Sequence, residues 1–139
     1  MLPFFPSSLL DQVRIVILKR ERLSNPPFYG DVKACGITNL PELTHMSSVT
    51  FEDVLVFHSE IIERSLFHAL VHAVQFQVLG LEQYADHFVR GFMRTRSFIS
   101  VPLEAHAYTL QSKFSSDPAQ AFAVEEKVRM WANQGRYQQ

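Results

Sequence analysis

His68 and His72 stand four residues apart in LFHALVHAVQFQVLG, Leu66 to Gly80, a run that is otherwise almost wholly apolar. Residues at i and i+4 share one face of a helix, so the two imidazoles can converge on a single metal ion about 2.0–2.1 Å from each nitrogen. Backbone carbonyls could satisfy the same nitrogens instead, because a buried polar group left unpaired is costly. On a wheel turning about 100° per residue, Ile61, Ser65, His72 and Gln75 fall within about 60° of His68. Ile62, Leu66, Phe67, Leu70, Val71, Ala73, Val74 and Val78 occupy the rest of the circumference. A helix apolar on nearly every side is a buried one, which turns the histidines toward the interior or the floor of a cleft.

A catalytic zinc site takes a third protein ligand beside water. Glu104 is the best candidate. It shares a helical stripe with Tyr108 and Gln111, opposite the apolar side formed by Leu103, Ala107, Leu110 and Phe114. The same stripe also reads as a solvated helix face.

Taken together, LFHALVHAVQFQVLG, FVRGFM and VPLEAHAYTLQSKF resemble the small bacterial zincin-like zinc metallopeptidases of the gluzincin sort. These read L-F-H-E-L-V-H-V-V-Q-Y, then a Y-V-x-G-F/W helix, then I-P-L-E-x-x-A-Y. The likeness covers Val49 to Phe114 strongly and the first 48 residues loosely. It implies a minimal zincin domain that binds Zn2+ through His68, His72 and Glu104 and acts on a peptide or protein substrate laid along an edge strand. Tyr108 would stand near enough to steady the tetrahedral intermediate. Ala69 departs from the pattern, standing where the family has its general base. In that family zinc polarises the scissile carbonyl while the glutamate takes a proton from the attacking water and passes it to the leaving amine. An alanine methyl can do neither, and such assistance is worth about 10²–10⁴-fold, so this chain is expected to be inactive or nearly so. Natural loss or an engineered Glu-to-Ala exchange would both produce Ala69. Besides a disabled peptidase, a non-catalytic peptide-binding pseudopeptidase or scaffold fits the pattern, as does a helical domain with two satisfied core histidines.

Other reactive side chains are less promising. His106 lies about 200° from Glu104 on its helix and is expected outside the site. His58 reads as an exposed loop histidine. Arg90, Arg94 and Arg96 sit at a helix end, where cations suit the dipole, and Cys35 has no activating neighbour in sequence.

The elements that must position these residues follow from pattern. Val13–Leu23 and Val49–Phe57, the second turned near Glu52-Asp53, are expected as strands. Ser24–Asp31 has the punctuation of a loop, and Ser7 and Ser8 can cap a short helical turn. Ser59 is expected to cap a helix from Glu60 to Leu79 that Gly80 ends. Three further helices should cover Leu81–Met93, Pro102–Phe114, with proline in the first turn, and Pro118–Asn133, capped by Asp117. The fold class is α+β: a small, mostly antiparallel sheet packed on the histidine helix, plus three further helices.

With 139 residues, 47% hydrophobic and 19% charged, the chain suits one domain over 1–139 with one core. Thirteen basic and fourteen acidic residues give a net charge of −1, which offers no footprint for nucleic acid or an anionic membrane. The lone cysteine excludes internal disulfides and cysteine-rich zinc modules. No apolar run reaches the roughly 20 residues of a membrane span, and MLPFFPSSLL lacks the basic start of a signal peptide. A cytoplasmic protein is the expectation.

Overall fold

The computed structural model describes residues 1–19, 21–37 and 40–139, with Thr44 described by its backbone alone. Its elements run α1 (Ser7–Gln12), β1 (Arg14–Ile17), α2 (Tyr29–Ala34), β2 (Ser48–Phe51), β3 (Val54–Phe57), α3 (Glu63–Thr95), α4 (Pro102–Ser116) and α5 (Val124–Asn133), with short 3-10 turns at Leu43–His45, Phe98–Ser100 and Arg136–Gln138. The architecture is α+β, a three-stranded sheet against a helical body. Among the described residues no helix is long and apolar enough to cross a membrane.

The sheet order is β1-β3-β2. β2 and β3 form an antiparallel hairpin that pairs Phe51 with Val54 and Ser48 with Phe57. Its two-residue turn puts Glu52 at a positive φ of 54°, as the twist of a tight hairpin requires. β1 lies parallel to β3, Arg14 opposite Val54 and Ile17 opposite Phe57. The sheet is therefore evenly mixed rather than mostly antiparallel. The hairpin leaves the far edge of β3 free, and the long connection from β1 to β2 lets β1 enter that edge in the parallel sense. β1 is also shorter than the stretch Val13–Leu23, in which Arg20 lies outside the described residues. Along β3, Leu55 and Phe57 are buried while Val54 and Val56 are only half covered, the alternation of a sheet with one face on the core.

α3 starts later than its sequence suggests. Ile62 is the extended residue before the first turn and no side chain caps the helix, so Ser59 lies outside it. The apolar stretch through Phe76 is buried as expected. At Gly80 the backbone takes φ 80° and ψ 160°, a region essentially reserved for glycine. The first helical stretch of α3 ends there, as read, and a second runs on from Leu81 to Thr95 across a kink, carrying Tyr84 and Phe88 back along the cleft. Farther along, Gly91 lets α3 approach the start of α4 closely, since a Cβ there would lie 3.1 Å from Pro102 Cδ.

α4 opens with Pro102 in its first turn, as read. α5 begins at Val124 rather than Pro118. Tertiary anchoring outweighs the local cap: Val124 N donates to Phe4 O at 3.0 Å and the Phe122 ring meets Phe4 edge-on at 5.1 Å. α2 forms in a stretch whose Pro-Pro and Gly suggested only loop, pinned where the Tyr29 hydroxyl donates to Pro41 O at 2.8 Å. The core is aromatic. Phe67 of α3 and Phe114 of α4 stack with centroids 4.5 Å apart, and Phe4 stands edge-on to both. That contact fixes α3 against α4, and with it the face carrying His68 and His72 against the face carrying Glu104.

Candidate metal centre

The crossing of α3 and α4 brings His68, His72 and Glu104 together. His68 Nε2 lies 2.9 Å from Glu104 Oε1, and His72 Nε2 lies 2.9 Å from Glu104 Oε2. The two Nε2 atoms are 3.1 Å apart. His72 and Glu104 are buried and His68 is partly so.

The far side of each ring decides what the near side can do. Gln75 Nε2 donates to Leu103 O at 3.0 Å, which turns Gln75 Oε1 toward His72 Nδ1 at 2.8 Å. An amide oxygen only accepts, so His72 carries its hydrogen on Nδ1. His68 Nδ1 likewise lies 2.8 Å from Gln111 Oε1. With both Nδ1–H groups engaged, each Nε2 meets the carboxylate and the other ring either as a lone pair or through an extra proton. Two N–H groups cannot point at each other across 3.1 Å. One site thus collects two imidazole nitrogens and a carboxylate, an arrangement that a cation would complete.

The donor set fits a metal on these grounds. Ligands bonded at about 2.0–2.1 Å in a tetrahedral arrangement are about 3.3–3.4 Å apart, close to the 2.9–3.1 Å separations here. Supporting hydrogen bonds that fix ligand tautomers are also what metal-binding histidines have. The buried His-His-Glu group could hold a metal ion.

The electrostatics of the protein alone point the same way. Burial pushes the Glu104 carboxyl up, but the charge of His72 and hydrogen bonds from both histidines outweigh it and bring the pKa down to about 2. For His72 burial pushes downward and Glu104 pulls harder upward, leaving it raised. The carboxylate favours positive charge beside it.

Around the cluster lies a cleft of about 840 Å³. One wall is β2, whose edge away from β3 pairs with no described strand. Phe51 and Phe76 line it, as do Tyr84, Phe88 and Phe98 beyond the kink. Tyr108 sits beside His68 with ring centroids 4.5 Å apart. Burial and then the Glu104 charge raise its pKa, and the same two influences raise that of Tyr84 further. Both phenols stay protonated near neutral pH. The Tyr84 hydroxyl, 3.2 Å from His72 Nδ1, is a site residue that the sequence did not reveal, because only the kink at Gly80 brings it here. Gln75 and Gln111 were visible on the right helix stripes, but their role required knowing that α3 faces α4.

Ala69 is fully buried in the apolar core and is not among the cleft residues. Glu104 is the one carboxylate among the described residues lining the cleft. His58 is buried rather than exposed: its Nδ1 lies 2.6 Å from Met46 O and its Nε2 accepts from Leu23 N at 3.2 Å, so it pins two loops together. His106 lies outside the site, stacked on Trp131 with centroids 3.6 Å apart. Arg90 pairs with Asp86, Arg94 donates to Gln138 O, and neither these two nor Arg96 lines the cleft. Cys35 is exposed and also absent from it.

Comparison with known proteins finds no family model, no curated protein and no solved structure that matches the chain.

Proposed function

We propose that this protein is a zinc-binding, metallopeptidase-like protein whose cleft holds an extended peptide, and that the chain as it stands turns over slowly or not at all. The observation that carries the reading is the convergence of His68 Nε2, His72 Nε2 and a Glu104 carboxylate whose histidine partners are held in one tautomer by Gln111 and Gln75. Two histidines and a glutamate form a donor set that hydrolytic zinc sites use, in keeping with the resemblance of the sequence to the gluzincin-type peptidases. Bound there, zinc would supply Lewis acidity toward a carbonyl and lower the pKa of a water.

The chain's own groups would do the rest. β2 can pair its open edge with a peptide main chain. Exposed Phe28, Phe51, Leu81 and Val89 on the cleft walls suit large apolar side chains. Protonated Tyr108 and Tyr84 can donate to a developing oxyanion. Among the described residues of the cleft no carboxylate is left for proton transfer, since Glu104 would be a ligand and the Ala69 methyl lies in the core outside the cleft. This favours the second reading, a pseudopeptidase that binds peptides without cleaving them. The Ala69→Glu variant loaded with zinc separates the two. Hydrolysis of a mixed peptide library raised about 10²–10⁴-fold over the parent supports a disabled peptidase; zinc bound without turnover rejects it and leaves the binding role.

A further inference from the structure

Arg64 stands one turn before His68, on the same side of α3, and lines the cleft. It is exposed. It is the one lysine or arginine among the described residues of the cleft wall. None of its contacts is an ion pair or a side-chain hydrogen bond to a described residue. Local stability does not account for it, because a cation in the first turn of a helix opposes the helix dipole. Arg64 and His68 are separated by about 6 Å of helix rise, a span of one to two peptide residues. The cleft therefore presents a planar, donor-rich cation one helical turn from a metal-ligand cluster, beside exposed apolar side chains such as Phe51 and Val89.

From this arrangement we infer that the cleft selects peptides by their free C-terminal carboxylate, which Arg64 receives as a forked pair of hydrogen bonds while the apolar walls take the neighbouring side chains. A guanidinium matches a carboxylate in this bidentate way better than an ammonium does. Arg64 is a specificity-determining residue on this account, and the inference rests on the peptide-binding reading of the cleft.

The test is binding of a fluorescent acetyl-Ala-Ala-Phe-Leu peptide, with a free C-terminus or as the C-terminal amide, to the zinc-loaded protein and to Arg64→Gln and Arg64→Lys. The parent should favour the free acid by about tenfold or more, as a charge-assisted hydrogen bond provides, and added salt should narrow the preference. Arg64→Gln should bind acid and amide alike, and Arg64→Lys should keep part of the preference. Because Arg64 is exposed and opposes the dipole, Arg64→Gln should melt no lower than the parent, so the comparison is between folded proteins. Equal binding of acid and amide by the parent overturns the inference and leaves the peptide reading standing. Binding of neither peptide overturns both.

Discussion

His68 and His72 direct their Nε2 atoms at each other across 3.1 Å while the two oxygens of Glu104 face one ring each. Both rings give their other nitrogen to a glutamine oxygen, which leaves both Nε2 atoms facing the carboxylate. In the metal-free protein the Glu104 charge favours a proton on His72, and a metal would compete with it.

The charge arrangement makes metal-free stability depend on pH. Glu104 is held at about 2 against an ordinary 4.5, so its contribution is complete above about 4.5 and is lost as the pH falls toward 2. His72 is raised above 6.5; its contribution is complete below 6.5 and fades as the pH climbs through the raised value. Glu104→Gln removes both. Chemical denaturation across this range should show the parent's advantage over Glu104→Gln largest between pH 4.5 and 6.5. A constant difference at every pH would contradict the charge pairing.

Gly80 is the hinge that returns Tyr84 and Phe88 to the cleft. Nothing lies within 4 Å of a Cβ added there, so Gly80→Ala is opposed by backbone strain alone, about 1–3 kcal/mol. Thermal unfolding should show that loss, and Tyr84 should leave the neighbourhood of His72 in a structure of the variant. An unchanged melting temperature would mean that the kink is not a requirement of the fold.

Gln111 supports His68 from behind through its amide oxygen. Replacing it with leucine leaves the Nδ1–H without that acceptor, and losses of this type weaken metal binding by about 10–100-fold. Competition with a chromophoric chelator measures it. Gln111→Glu restores an acceptor and should recover the affinity; equal affinities for all three proteins would show that the amide is a bystander.

Much of the site could be read from the sequence because helical spacing is local. The i and i+4 histidines, the stripe of Glu104, Tyr108 and Gln111, and proline at the head of α4 are each fixed by a few neighbouring residues. What escaped depended on contacts far apart in the chain. The parallel pairing of β1, the late start of α5 against Phe4 and the burial of His58 between Met46 and Leu23 have no local signature. Gly80 was legible as the end of the first helical stretch, but the direction that the next stretch takes depends on what it packs on. Tyr84 stacks on Phe76 with centroids 3.7 Å apart, and that contact helps to settle the choice.

Metal content tests the central claim most directly. The purified protein, incubated with zinc and passed free of excess, should carry about one zinc per chain by elemental analysis, as a site of three converging ligands holds a single ion, and His72→Ala should carry far less. No zinc in the parent, or equal zinc in both, would make the His68–His72–Glu104 cluster a buried ion pair and leave the peptidase-like reading without its centre.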